Sequence, residues 1–424
     1  MSDKEPLSAE PYKGVRDFYP EDWTRLQACF EVIRKVLRSY GFEEYNASPL
    51  ERAELYESKT SEEIVNEQTY TFTDRGDRRV TLRPEMTPTL ARMVAAKRRE
   101  LVYPLRWFSI GNRFRYERPQ KGRLREFYQV DVDIIGAADA KAEGEAVVMA
   151  YEILKAFGAQ NADFTIKANS RKLLNAACEA VGLSADETTA YLGLVDRRNK
   201  MDAEKFEAAR GEYRRNGKDP LEVIEAHDTD AVEAEYQQLM GLIEALKARG
   251  MDNVVFDPSV VRGFLYYTGL VFEVFDTNPE NPRALIGGGR YDGLVALFGG
   301  DPIPAVGFAM GDVTLIDFLT THNLLPSESS APELYIGTPS EEDIGLAQGF
   351  AEIVRTAGVR AMVNITDRSL SDQIREAAKR GIRYFAAYGA GEEESGTVRL
   401  KNLESGFEEE RPIADVAAAI RSGS

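Results

Sequence analysis

Apolar residues recur at helical spacing through EDWTRLQACFEVIRKVLRSY, residues 21–40, and the run stops at Gly41, predicting an amphipathic helix. FEEYNASPLE then reads as a strand. From Tyr70 to Leu82, aromatic and β-branched residues flank the turn DRGDRR, which predicts a hairpin. Residues 105–135 read as two strands around the loop PQKGRLRE, followed by a helix from about Lys141 to Phe157 and the strand ADFTIKAN. From 171 to 250 the pattern is long, charged and helical; EKFEAARGEYRRNGKDPLEVIEAHDTD suits a solvated helical insertion or a dedicated recognition element. Strand patterns return in NVVFDPSVVRGFLYYTGLVFEVF and RALIGGGRYDGLVALFG.

The stretch THNLLPSESSAPE has the Pro and Ser content of a linker, placed at 326–332. Beyond it, the strands ELYIGTP, VRAMVNI, IRYFAAYG and TVRLKNL alternate with helical runs. One of those runs opens on a capping pattern from Ser369 to Asp372, and a last helix starts at Ile413. Alternation of this kind predicts a separate α/β domain over 333–424 with a mainly parallel sheet. Residues 1–170 and 251–325 then form one larger domain, interrupted by the helical segment 171–250. No internal repeat is visible.

A chain of 424 residues with 43% hydrophobic residues is long enough for two or three domains. Fifty-three basic against 70 acidic residues leave a net charge of −17, so the chain repels polyanions at long range. Any RNA contact must rest on a restricted basic patch; Arg375, Lys379, Arg380 and Arg383 are one candidate and an ordinary solvated helix face is the other. The start MSDKEPLSAEP lacks the basic and apolar regions of a signal peptide, and no apolar stretch approaches the ~20 residues of a membrane span. Two cysteines, Cys29 and Cys178, are too few for a disulfide framework, and a reducing cytoplasm is expected. Two histidines, His227 and His322, in ordinary contexts argue against a catalytic triad or a protein-held metal.

Against this acidic background one segment differs. Between Arg113 and Arg125 lie six basic residues and a single acid, Glu117. On a strand, Arg113, Arg115 and Glu117 share a face; on the return strand Phe127, Gln129, Asp131 and Asp133 do. Paired as a hairpin, such a surface offers arginine forks for phosphate oxygens and amide or carboxylate groups for N–H donors. Salt bridges across an exposed sheet face would give the same pattern.

Three other segments carry chemistry. In TLRPEMTPTLAR, Glu85 and Thr87 follow a strand and precede a helix; alone, Glu85 reads as a solvated acid at a helix start. VRGFLYYTGLVFEV sets Arg262, Tyr266 and Tyr267 among apolar residues, where an arginine needs a partner or a substrate. LIGGGRYDGL leaves a strand without side chains at three positions, so a flat ligand or another backbone can approach. It is neither a P-loop nor a dinucleotide fingerprint, because Asp292 stands where the latter needs glycine.

Taken in order, from KGVRDFYP to the last helix, these segments resemble the histidyl-tRNA synthetase family of class II aminoacyl-tRNA synthetases. RFRYERPQKGRLREFYQVDVDIIG looks like the second class motif; VRGFLYYTG and GGGRYDGL look like the two histidine signatures. The resemblance implies an α+β catalytic domain with an antiparallel sheet, a helical insertion and a C-terminal α/β anticodon-binding domain. It implies ATP as substrate with Mg²⁺, and histidine and histidine tRNA as partners. It also implies a homodimer, with helix 21–40 near the interface, and no membrane. Arg115, Arg123 and Glu117 would face ATP, with Arg262 beside the reacting carboxylate and α-phosphate. Glu85, Thr87 and Gln129 would hold the substrate ammonium; Asp133, Tyr266, Tyr267 and Tyr291 would line the imidazole pocket.

The resemblance departs at the third class motif. AVGFAMG should precede a Glu-Arg pair that grips the nucleotide, but Val313 and Thr314 stand there. One charge-assisted phosphate contact is worth about 1.5–3 kcal/mol, so another arginine must compensate or activation suffers. Leu265 stands where relatives often carry Asp. These departures leave a second reading, a non-catalytic accessory subunit such as that of ATP phosphoribosyltransferase, although that relative resembles the catalytic portion only. A class II enzyme for another amino acid conflicts with both histidine signatures.

Overall fold

The apolar stripe of residues 21–40 becomes the helix Pro20–Ser39, which buries Leu26, Phe30, Ile33 and Leu37. Gly41, at φ +79°, then turns the chain in a conformation that costs other residues strain. The computed structural model describes residues 7–57, 68–198, 201–262 and 266–423. The departure at Leu265 lies outside the described residues.

FEEYNASPLE divides between two sheets. β1 (Glu43–Glu44) pairs in parallel with β5 (Leu105–Phe114), while β2 (Leu50–Arg52) joins the hairpin of β3 (Tyr70–Thr73) and β4 (Arg79–Leu82). The main sheet continues with β6 (Glu126–Ile135), β7 (Phe164–Ser170), β8 (Val254–Phe256), β9 (Leu270–Asp276), β10 (Ala284–Arg290) and β11 (Ala305–Gly311). Its order is β1-β5-β6-β11-β10-β9-β7-β8, antiparallel throughout except at the two edge pairs.

Alternation along β6 decides what each face of this sheet does. Val130, Val132 and Ile134 point into a core shared with Phe30 and Ile33 and with Val147 and Ile153 of the helix Ala140–Ala156. Burying such side chains contributes roughly 1.5–3 kcal/mol each. The opposite face carries Gln129, Asp131 and Asp133, all less than 8% exposed. Arg113, on β5, is fully buried there and donates from Nη2 to Asp131 Oδ2.

Between β7 and β8 the chain runs through the helices Arg171–Val181, Ala185–Asp196, Ala203–Gly211, Pro220–Ala226 and Asp230–Lys247. Two of them start at capping boxes, Ser184 with Glu187 and Asp219 with Glu222.

The described chain divides into two compact units, one of residues up to Phe18 with Leu26–Pro326, the other of Ser327 onward with Tyr19–Arg25. In the second unit β12 (Leu334–Gly337) lies between β13 (Ala361–Val363) and β14 (Tyr384–Ala387), all three parallel. β15 (Thr397–Asn402) and β16 (Glu408–Pro412) are antiparallel additions, so the sheet is mixed rather than mainly parallel. A hairpin at its edge leaves β16 half exposed, which is why EEERP reads in sequence as a solvated acidic run. Ser369 caps its helix as expected, accepting from the Asp372 N–H at 3.3 Å.

Arg113→Ala would strand Asp131 in the interior, and losing one partner of a buried ion pair costs about 3–5 kcal/mol. A markedly lower denaturant midpoint for the first unit is expected, whereas Arg78→Ala, at an exposed pair with Asp74, leaves the midpoint in place.

Candidate functional site

Rungs of the antiparallel ladder build the polar sheet face. Gly111, Gln129 and Gly311 are level across β5, β6 and β11. Ser109, Asp131, Ala309, Gly287 and Glu273 form the next rung on the same face, crossing β5 to β9. Trp107, Asp133, Gly307, Gly289 and Val271 form the one beyond. Small residues on β10 or β11 therefore stand level with Gln129, Asp131 and Asp133.

That missing volume is occupied by functional groups. A Cβ on Gly287 would run into the Arg262 guanidinium, one on Gly289 into the Tyr267 ring, and one on Gly307 into the Asp133 carboxylate. Arg262 enters from a backbone at φ +63°, an uncommon conformation for arginine that costs of order 1–3 kcal/mol. Its Nη1 donates to Glu273 Oε1 at 2.8 Å, giving the buried cation the partner its apolar sequence context demanded. Glu273 and the Tyr267 hydroxyl hold this guanidinium charged and raise its pKa despite burial.

The tyrosines form a wall over the sheet. Tyr266 and Tyr267 pack with ring centroids 4.9 Å apart, Tyr266 and Tyr291 at 5.8 Å. The Tyr266 hydroxyl donates to Glu85 Oε2 at 3.1 Å and also bonds Thr87. Glu85 is only 3% exposed, which overturns its reading as a solvated helix-start acid. Proline at the start of Thr87–Ala96 and the buried strand end before it turn the carboxylate inward, beneath Tyr56. The Tyr291 hydroxyl donates to Asp133 Oδ1. Burial pushes the Asp133 carboxyl up to about 8, with the charge on Asp131 adding to the rise.

At the other end of the face, Arg115 is half-buried, donates from Nε to the Pro84 carbonyl at 3.0 Å, and lies over the Phe127 ring. Desolvation lowers its pKa, partly offset by Glu117 and Glu85. Arg123 Nε stands 2.6 Å from Glu117 Oε2. Gln129 Nε2 donates to Asp131 Oδ1 at 2.6 Å.

The structure thus joins Glu85, Thr87, Tyr266, Tyr267 and Arg262 in one network and Asp133 with Tyr291 in a second beside it. Arg115, Arg123 and Glu117 form a third group. Arg113 and Asp131 are internal, bonded to each other rather than presented to a ligand. Sequence reasoning missed Glu273, although an acid inside the apolar run LVFEVFD was a usable signal. It also missed Arg83, buried against Gly111 and donating to the Asn112 and Ala47 carbonyls, for which the sequence held no signal. Thr314 turns its hydroxyl onto the Gly311 carbonyl at 3.2 Å. Asp312 beside it is buried and binds Arg16 at 2.7 Å and the Tyr128 N–H at 3.0 Å. Among the described residues no group of three or more His, Cys, Asp or Glu could hold a metal ion, and no helix is long and apolar enough to cross a membrane.

An antiparallel sheet backed by helices, with arginines at one end of its open face and carboxylates and tyrosines at the other, defines a class II aminoacyl-tRNA synthetase fold. A family model described as Histidyl-tRNA synthetase matches residues 14–314, and one described as Anticodon binding domain matches 334–423. The histidine–tRNA ligase of Leptospira biflexa is 41% identical over 414 residues, 95% of each chain. That of Thermoplasma volcanium is 36% identical over 99% of this chain and 100% of its own. The chain belongs to the histidyl-tRNA synthetase family. A solved histidyl-tRNA synthetase from Nostoc sp. PCC 7120 shares the fold at TM-score 0.78 and 23% identity, covering 99% of this chain and 100% of that one. A Bacillus halodurans structure described as an ATP phosphoribosyltransferase regulatory subunit/histidyl-tRNA synthetase shares it at 0.74 and 22%, covering 91% and 98%.

An unfolded chain ionises Asp133 near its ordinary 3.8, whereas the folded protein holds the proton up to about 8. Unfolding between those values releases that proton, so this group makes stability fall as pH rises, levelling off above about 8. Asp133→Asn should remove this contribution and show a shallower decline in unfolding temperature from pH 5 to pH 8. An unchanged pH profile would place the Asp133 pKa in the ordinary range.

Proposed function

We propose that this chain is a histidine–tRNA ligase, which joins histidine to ATP as histidyl-adenylate and passes the histidyl group to the 3′ end of histidine tRNA. The observation that carries this reading is the single sheet face, cationic at Arg115 and Arg123 and lined by Asp133, Glu85 and tyrosines at the other end. An anion and an amino acid placed head to head need that distribution of charge. The accessory-subunit reading is the weaker match, because curated relatives named as ligases align over nearly the full length of this chain.

In this reading Glu85, Thr87 and Gln129 receive the substrate ammonium. Asp133, with Tyr291, takes the imidazole N–H, which draws the carboxyl towards its ionised form, while Tyr266 and Tyr267 close the pocket. A carboxylate oxygen of histidine attacks the α-phosphorus of ATP, and the bond to the leaving pyrophosphate breaks with its electron pair on the departing oxygen. No proton has to move, so positioning and charge neutralisation supply most of the rate. Arg115 holds the α-phosphate and Arg123 the outer phosphates. Arg262, braced by Glu273 over Gly287, sits at the reacting carboxylate. In the second step a terminal ribose hydroxyl of the tRNA attacks the histidyl carbonyl. The bond from that carbon to the adenylate phosphate oxygen breaks with its electron pair on the oxygen, and AMP departs carrying the hydroxyl proton on a phosphate oxygen.

Glu117, 8% exposed and paired through Oε2 with Arg123 at 2.6 Å, is the carboxylate at the phosphate end that would hold Mg²⁺ entering with ATP. The ion, when bound, neutralises phosphate charge; hydrated Mg²⁺ commonly needs only one or two carboxylates beside phosphate oxygens. The second unit would read the anticodon. Arg375, Arg380 and Arg383 are held by Asp372, Glu376 and Glu404, which favours a solvated face over a dedicated RNA patch at that helix. We place the protein in the cytoplasm as a homodimer. Buried Cys29 and Cys178, which are not joined in a disulfide, agree with a reducing compartment.

Purified protein should exchange labelled pyrophosphate into ATP only when histidine is present, and then charge histidine tRNA. Failure of exchange with Mg²⁺ supplied would refute the ligase reading. Arg262→Ala should lower the exchange kcat by about 10²–10³-fold, the usual scale for a lost transition-state donor, with histidine Kd nearly unchanged. Equal losses in both would assign Arg262 to ground-state binding. Light scattering should give twice the chain mass.

A further inference from the structure

Thr314 leaves the third class motif without its cation, and Arg283 lies close by. We propose that Arg283, at the mouth of β10, is a nucleotide-phosphate ligand standing in for the arginine that Thr314 lacks. The inference rests on the ligase reading above.

Register brings the two positions together. β10 and β11 pair as far as Ile286 with Met310, so Arg283, just before β10, lies beside the start of the helix that follows β11. Thr314 follows in the first turn of the helix Asp312–Thr321. An arginine just before β10 therefore emerges on the neighbouring strand at the place where the family motif would put one just after β11.

Side-chain geometry brings the group to the phosphate end of the face. Arg283 Nε donates to the Lys121 carbonyl at 3.0 Å, in the hairpin loop between β5 and β6. A Cβ on Gly122 would come 2.7 Å from Arg283 Cδ and 3.6 Å from Thr314 Cγ2, so loop, arginine and threonine converge on one spot. Gly122 stands at φ +72°, and Gln120 and Arg123 close the turn by mutual backbone hydrogen bonds. Arg123 extends from that turn toward Glu117, the buried acid of the same end.

The guanidinium is also uncommitted. Among the described residues no carboxylate ion-pairs with Arg283, and Nε makes its only hydrogen bond. Partial burial and repulsion from Arg123 lower its pKa, with Glu117 offsetting part of the fall. Glu117 matches Arg123, so the unmatched charge where the two arginines stand close is that of Arg283, and an anion arriving there offsets their repulsion. A polyphosphate has that charge; histidine, bound at the far end of the face, does not reach it. The competing role is mechanical, with Arg283 acting only as a staple on the Lys121 carbonyl.

Arg283→Ala, Arg283→Lys and the double variant Arg283→Ala with Thr314→Arg separate these roles. Pyrophosphate exchange would give KM for ATP and for histidine, and calorimetry the Kd of a non-hydrolysable ATP analogue. Arg283→Ala should weaken ATP and the analogue about ten- to a hundredfold, with the histidine KM changed less than about twofold. Arg283→Lys should recover part of the loss. Thr314→Arg should restore analogue binding in the Arg283→Ala background, which a lost staple would not allow. Unchanged ATP and analogue binding in Arg283→Ala, or no recovery in the double variant, would overturn the assignment. A wild-type protein that binds the analogue but exchanges no pyrophosphate would sink the ligase reading and leave the calorimetric comparison to decide Arg283 by itself.

Discussion

Burying charge is tolerable only when each charge meets its counterpart, and this constraint organises the open face of the main sheet. Arg113 is matched by Asp131 and Arg262 by Glu273, while Glu85 accepts from Tyr266. Asp133 meets the same constraint by keeping its proton and accepting from Tyr291. The matched pairs lie under and along the face; the cations with spare capacity gather where β5, β6 and β10 meet their loops. Selectivity for a ligand negative at one end follows from where the pairing stops.

A second constraint is steric. Arg262 and Tyr267 reach the sheet surface from outside it only because β10 supplies glycine at Gly287 and Gly289, and Gly307 on β11 leaves room for the Asp133 carboxylate of β6. Glycine weakens a strand, and here the flanking strands compensate by hydrogen-bonding β10 and β11 on both edges. The charged groups and the residues that make room for them are thus distant in sequence and adjacent in the ladder.

Much of this was legible in the sequence wherever a short period was enough. The hairpin of β5 and β6, the helix Pro20–Ser39 and the faces of RFRYE and FYQVDVD all follow from two- or 3.6-residue alternation. Elements held by tertiary context were less visible. Glu85 sits in polar-looking text, and only the fold over Tyr56 and Tyr266 buries it. β16 is an edge strand whose exposed acids mimic a loop. Arg83 is defined by carbonyls at Asn112 and Ala47, far away in the chain, which local pattern cannot reveal. The Thr314 gap was visible from the motif, but Arg283 became its neighbour only once β10 and β11 were in register.

The rungs have a metric consequence. From Gln129 to Asp133 is four residues of continuous β6, about 14 Å at ~3.4 Å per residue, and no loop intervenes. The span between the ammonium and imidazole ends of the histidine pocket is therefore a ruler engraved in backbone, graduated in residues. Homologues can vary their loops freely without altering that length, whereas inserting a single residue in β6 would turn half its markings to the wrong side.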